Sequence, residues 1–402
     1  MNKTVFIFLS AVMNGANLYS SGFLELGDFI KKVERENPEI NSAKRFYEAQ
    51  TAKISQSSLP PDPSLEFEKM NVGGSEERSF YIKQELPNPL KLSSSRKTAG
   101  KNSDYYGFLY ISVKNEILTK AKNAFYDYSL AAQHEKIYAE MLSLLDNISK
   151  ISEANYATGG IKAPDALKIN IEYSKMKNLL GIAKYRKEKT GELLNSFTGD
   201  EGAPPEPEVT EELSPASDFE ELNSSLLKNN PEIRLEAANL EKSELELKSA
   251  GYSRYPDFML GYRKRFYSEM NGTYDIVLGI TLPLFFNKNK AFIDEVKSLK
   301  EAARERYNYS VFSNSYALKE SFIDLKSAYE SARLYKEIIL PQSEESVENS
   351  LSYYQTGQAG VIDVLDSAKT YLDARLSYYE RLADYHKSKA ALKRATGDIY
   401  EE

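Results

Sequence analysis

Few residues in this chain could perform covalent chemistry. It has no cysteine and only two histidines, His134 and His386, which excludes thiolate nucleophiles, disulfides and thiolate metal sites and nearly excludes histidine chemistry. No Gly-Lys-Ser/Thr phosphate loop, Ser-His-Asp set or metal-ligand spacing is visible, so neither hydrolysis nor a cofactor is expected. Two histidines and seven methionines, Met1 and Met13 among them, also argue against a soft-metal relay. What remains is a pair of carboxylates beside a glycine-broken corner. Tyr353-Tyr354-Gln355-Thr356-Gly357-Gln358-Ala359-Gly360-Val361-Ile362-Asp363-Val364-Leu365-Asp366 sets two aspartates at the start of a helical run. Acidic side chains there stabilise the positive end of the helix dipole by roughly a few tenths of a kcal/mol.

The elements that position this corner occur twice. Asn155-Tyr156-Ala157-Thr158-Gly159-Gly160-Ile161-Lys162-Ala163-Pro164-Asp165-Ala166-Leu167 shares the frame Tyr-x-Thr-Gly, five residues, then Asp-x-Leu, so Asp165 answers to Asp363. Asn37-Pro38-Glu39-Ile40 returns at Asn230, Pro61-Asp62 at Pro256, Leu86-Pro87 at Leu282 and Thr198-Gly199-Asp200 at Thr396. The displacement between copies stays between 193 and 198 positions. Five matches in one order establish an internal duplication. Residues 22–199 form the first repeat and 219–402 the second. Between them, 200–218 is rich in proline and glutamate and is expected to be an exposed surface linker.

Each repeat alternates two kinds of pattern. Ser64 to Met70 and Arg78 to Leu86 read as a hairpin, with Leu65, Phe67, Phe80 and Ile82 on one face and Glu66, Glu68, Tyr81, Lys83 and Glu85 on the other. In the second repeat Phe258, Leu260, Tyr262 and Phe266, then Tyr274, Ile276, Leu278, Ile280 and Leu282, do the same. The rest is helix of unusual length. From Leu92 to Asn155 no proline interrupts, a run of about 95 Å. Apolar residues step by threes and fours, as in Ile117, Ala121, Ala124, Tyr128 and Ala131, which predicts coiled-coil packing. Pro341 is expected to bend the second long helix.

Charge and hydropathy narrow the setting. A net charge of −7 leaves no basic footprint for nucleic acid. Residues 1–21 resemble a secretory signal peptide: Lys3, an apolar run from Val5 to Met13, then small and polar residues. No later run is long enough for a transmembrane helix. Four strands with one apolar and one charged face suit lipid outside and water inside, but four strands cannot close a barrel. Two chains would give eight strands and three would give twelve, and charges on the inner face favour the roomier, water-filled barrel. A soluble helical protein with two small sheets is the competing architecture.

The signal, the duplicated Asn-Pro-Glu-Ile, the Pro-Asp and Leu-Pro flanks and both glycine corners resemble the TolC family of outer-membrane efflux proteins over residues 25 to 398. Short connections are more similar to its heavy-metal branch, the CzcC-like and CusC-like members. The resemblance implies a mainly α fold with a membrane β-barrel: a homotrimer whose twelve-stranded barrel continues as a helical periplasmic α-barrel. It implies docking to a periplasmic adaptor and an inner-membrane RND or ABC pump at the corner tips, Gly159, Gly160, Gly357 and Gly360. By the same resemblance Asp363 and Asp366 line a periplasmic gate as two carboxylate rings, with Tyr354 at the closed gate and Asp165 as its partner. One departure is Ala359, where the family has an arginine that takes part in an ionic lock. The function implied is export of small molecules or metal ions; a type I secretion duct for polypeptides or a non-conducting structural trimer are the alternatives.

Overall fold

The computed structural model describes residues 22–72, 75–157, 163–267 and 272–397. The expected signal peptide, Gly159, Gly160, the Gly73-Gly74 and Asn271 turn residues and Asp398 lie outside the described residues.

The first repeat runs β1 (Phe23–Glu25), α1 (Leu26–Glu36), α2 (Pro38–Gln56), β2 (Ser64–Val72), β3 (Ser75–Leu86), α3 (Pro89–Ala157) and α4 (Ala163–Asn195). After β4 (Glu206–Glu208) the second repeats the plan as α5 (Phe219–Asn229), α6 (Pro231–Tyr252), β5 (Asp257–Tyr267), β6 (Thr273–Thr281), α7 (Phe286–Leu334), α8 (Leu340–Gln355) and α9 (Val361–Thr396). The helix α3 is a single run of 69 residues, about 100 Å long. Its counterpart divides into α7 and α8 at a π-turn, Tyr335–Ile339. That turn lies immediately before Pro341. Leu340 N–H donates to Tyr335 O, a wider ring that accommodates the proline where its missing N–H breaks the α-ladder.

The repeated Asn-Pro-Glu-Ile has a physical reason. Asn37 caps α2, accepting from the N–H of Glu39 at 3.0 Å and Ile40 at 3.2 Å, and Pro38 takes the first helical position. Its side-chain amide then donates to Phe197 O at 3.1 Å. Asn230 does the same for α6, accepting from Glu232 and Ile233 and donating to Ala395 O at 2.8 Å. Each asparagine thus starts one helix and clasps the end of the long helix that returns to it. The return helices end at Gly199 and Gly397, both in the left-handed region (φ 75° and 85°).

The helices α2, α3, α6 and α7 pack side by side, and α3 and α9 join the two repeats along their length. The heptad positions form the core: Ile117, Ala121, Ala124, Tyr128 and Ala131 of α3 and Leu318, Leu325 and Ala332 of α7 are buried. One cluster under α1 holds Leu24, Phe29, Val33 and Phe125, and another lies toward the corners with Ile137, Ile148, Ile169 and Val364.

Residues 200–218 stay at the surface, with the acidic side chains from Glu201 to Asp218 exposed as their composition predicts, and they are also tied down as a belt. β4 pairs in parallel with β1. Tyr128 donates to Pro204 O at 2.9 Å, Tyr378 to the Glu211 carboxylate at 3.1 Å and Tyr385 to Ser214 O at 3.1 Å. His386 Nε2 is 3.0 Å from Thr210 O, with its ring stacked on Tyr126 at 4.8 Å. One acidic residue of this segment, the exposed Glu211, thus receives a tyrosine hydroxyl from α9.

Two predictions follow from these contacts. Asn37→Ala or Asn230→Ala removes a cap and a clasp together and costs about 2 kcal/mol, read as a lower thermal midpoint of the detergent-purified protein. Asn→Asp, which keeps the acceptor and loses the donor, falls between. Burial pushes both imidazoles down to about 4, with Arg186 adding to it at His134; at His386 the Thr210 carbonyl opposes the shift and Lys389 adds to it. The unfolded chain, titrating near 6.5, takes up these protons first, so stability falls as pH drops from about 6.5 toward 4. Thermal melts across that window show the slope, and His386→Gln reduces it.

Candidate functional site

Two regions carry the geometry a transport function needs, one at each end of the molecule. The first is a single antiparallel sheet in the order β2-β3-β5-β6, so the hairpins of the two repeats join through β3 and β5. Its strands are 9, 12, 11 and 9 residues long, the length of tilted strands that cross a bilayer. The alternation is carried into space. Leu65, Phe67, Phe80, Ile82, Phe258, Leu260, Tyr262, Phe266, Tyr274, Ile276, Leu278 and Ile280 are all exposed, Leu278 by 80%. A continuous apolar face of this size on a folded chain marks contact with lipid or protein.

The opposite face is polar and paired. Arg265 binds Asp275 at 2.9 Å and Glu77 at 3.3 Å, and Arg263 lies 3.9 Å from Glu68. The Arg263 guanidinium covers the Tyr81 ring at 4.6 Å, and that ring fills the space over Gly261, where a Cβ would come within 2.5 Å of it. The aromatic ring replaces the side chain the glycine lacks.

The second region is the corner between α8 and α9. The end of α8 is a Schellman turn: Gly357 is left-handed at φ 74°, Gln358 N–H donates to Tyr353 O at 2.8 Å and Gly357 N–H to Tyr354 O at 3.1 Å. Gly360 starts α9 from an extended conformation. Its N–H donates to the Asp363 carboxylate at 2.9 Å, which makes Asp363 the side-chain half of a helix cap. Asp363 and Asp366 are both exposed, and Gly357 and Gly360 stand at the turn's surface. Asp165 occupies the first turn of α4 and is half-buried.

Tyr354, expected at the closed gate, is buried within the protomer. It is 3% exposed, packed with Val361, Val364 and Ala368 in the corner's core, and its hydroxyl has no partner among the described residues. The exposed tyrosine of the pair is Tyr353, at 54%. Ala359 supplies only a backbone N–H to Tyr353 O. Ionic ties of α9 come from further along: Arg375 binds Glu140 of α3 at 2.5 Å, Lys387 binds Asp127 of α3 and Arg394 binds Glu232 of α6, while Tyr371 donates to Glu344 of α8 at 3.2 Å. No repeated motif pointed to Arg375, whose partner lies 235 positions away in sequence.

A sheet apolar outside and charged inside, set on helices of this length, defines an outer-membrane channel protomer whose helical part extends into the periplasm. The family described as Outer membrane efflux protein matches residues 222–398. That match falls within the second repeat. Over 385 residues it is 20% identical to the cobalt-zinc-cadmium resistance protein CzcC of Cupriavidus metallidurans, covering 94% of this chain and 91% of that one. Its fold is similar to a membrane protein from Pseudomonas aeruginosa (TM-score 0.80, 13% identity, 94% and 91% of the two chains). It is also similar to CusC (TM-score 0.78, 13% identity, 94% of each chain) and to the CmeC outer membrane channel of Campylobacter jejuni (TM-score 0.79, 14% identity, 94% and 86%).

Because the Tyr354 hydroxyl is buried without a partner, Tyr354→Phe leaves the thermal midpoint unchanged or raises it. Tyr354→Ala, which empties the corner's core, lowers stability by about 3 kcal/mol. A phenylalanine variant that lost channel closure in bilayer recordings would restore a gating role to the hydroxyl.

Proposed function

We propose that three copies of this chain close a twelve-stranded barrel in the outer membrane and a helical tunnel beneath it. The tunnel is a passive duct for cations delivered by an inner-membrane pump through a periplasmic adaptor. The observation that carries this reading is the four-stranded sheet with one lipid-compatible face and two outer strands, β2 and β6, each of which has one edge unpaired among the described residues. Edges of that kind are not tolerated in a bilayer, so β6 of one copy must pair with β2 of the next. Two copies would give eight strands and a filled interior; three leave space for the paired charges of the inner face.

The glycine corners then become six tips, and threefold symmetry places Asp363 and Asp366 in rings at the tunnel mouth. Rings of carboxylates concentrate cations and repel anions at a narrow point. The likeness to CzcC, named for cobalt, zinc and cadmium resistance, supports metal ions as cargo. Selection of the ion belongs to the pump in this reading. The small corner residues Gly357 and Gly360, with Gly159 and Gly160 in the other repeat, leave room for adaptor helices.

Planar-bilayer recording of the detergent-purified protein, with its mass measured, tests the architecture: a trimer that conducts is expected, and a monomer or an absent channel overturns it. Asp363→Asn with Asp366→Asn removes the charges while asparagine still accepts the Gly360 N–H. The reversal potential in a salt gradient then shifts away from cation selectivity, and an unchanged potential refutes the carboxylate rings. Loss of tolerance to zinc or cobalt on deletion separates metal efflux from polypeptide secretion.

A further inference from the structure

We infer that the turn-proximal rim of the sheet's outer face binds the phosphate of an anionic lipid headgroup through Lys69, Arg78 and Lys264. The inference rests on the barrel reading, which turns this face toward the outer leaflet. Outward positions of the sheet form rows, and nearly all rows toward the helices are apolar. The two rows nearest the β2–β3 turn differ: Asn71 faces Glu76, and one step toward the helices Lys69 faces Arg78. Lys69 and Arg78 are direct cross-strand partners, with side chains 59% and 57% exposed.

Lys264 lies one outward position closer to the helices, opposite Phe80 and Tyr274, where an ammonium would meet hydrocarbon. Its Nζ instead reaches Gly272 O at 3.4 Å, which lifts the charge to the level of the other two cations. Glu76 binds Lys69 at 2.7 Å and Arg78 at 2.9 Å, so it orients both and leaves the group with three cations against one carboxylate. On the inner face Arg263 and Arg265 are answered by Glu68, Glu77 and Asp275. Among the described strand residues, the outward rim therefore carries the cationic surplus.

The rim also has an apolar floor. Phe67, Phe80 and Phe266 pack together beneath it, with ring centroids 5.1 and 6.1 Å apart. Cations above aromatic rings, continued by an aliphatic face, match an amphiphile with a phosphate head and acyl tails. A free phosphate ion would use the cations and leave the aromatic floor without a role.

The test uses the detergent-purified full assembly and two lipids with the same acyl chains, phosphatidic acid and diacylglycerol, in mixed micelles. Phosphatidic acid is expected to bind about tenfold more tightly, with a preference that weakens as salt is raised. That preference disappears in Lys69→Gln/Arg78→Gln/Lys264→Gln and survives in Lys44→Gln, which removes one charge from the exposed surface of α2. Equal binding of the two lipids by the unmodified protein overturns the proposal, as does a triple variant that keeps the preference. Displacement of phosphatidic acid by inorganic phosphate at similar concentration also overturns it in favour of a free-anion site. Should the triple variant not assemble, the lipid pair, the salt series and Lys69→Gln alone decide. Conductance in the same preparation separates the two readings: a conducting channel without phosphate preference loses only the lipid site.

Discussion

A backbone amide in a bilayer must find its hydrogen-bond partner within protein, and this one constraint organises the molecule. The sheet satisfies it internally for three strand pairs and leaves β2 and β6 each with one open edge. A soluble protein could blunt such edges with charge or proline. Here the edge strands carry Leu65 and Phe67 at one side and Tyr274, Ile276, Leu278 and Ile280 at the other, all exposed. The single chain is thus unfinished in both backbone and side-chain terms, and the neighbouring copy of the proposed trimer would complete both.

Closing a barrel from copies requires each copy to present its four strands in a fixed register, which the helices beneath must hold. Two asparagines do much of this. Asn37 and Asn230 each start the helix that leads into a hairpin while clasping the carbonyl end of a returning helix, Phe197 or Ala395. One side chain therefore ties the entry to a strand pair to the end of its own repeat. Across the repeats, Lys91 of α3 binds Asp257 at the start of β5 at 2.7 Å, and the Asp257 carboxylate also accepts the Asn88 N–H at 2.8 Å. The belt of residues 200–218 is held to α3 and α9 by Tyr128, Tyr378, Tyr385 and His386.

Much of this was legible in the sequence because it repeats or alternates. Period-two alternation located all four strands and their faces, and the heptad steps located buried positions from Ile117 to Ala131. The duplication matched the starts of α2 and α6 and the turns after α4 and α9, since an Asn cap and a left-handed glycine leave the same residue types in both copies. What escaped is whatever depends on a single long-range contact. The belt's prolines and glutamates predict its exposure, but composition does not reveal that Tyr128 of α3 and Tyr378 and Tyr385 of α9 donate to it. The Arg375–Glu140 tie has no counterpart in a motif. Tyr354 could not be distinguished from Tyr353 by type; the helical phase of α8 decides which is buried.

The corner shows how one residue can serve both the fold and the duct. Asp363 caps α9 through Gly360 N–H, and that cap needs an acceptor, which asparagine or serine could also supply. Asp366, one turn further on and exposed, is not part of the cap. The capping requirement alone therefore explains a polar residue at 363 but not a second carboxylate at 366. Helix-dipole stabilisation adds only about 0.3–1 kcal/mol at an exposed site and fades within the first turn. Two carboxylates per copy at a threefold axis would repel one another in an empty mouth. Cations passing through relieve that repulsion, so a corner that is electrostatically costly when empty is the arrangement a cation duct would hold open to its pump.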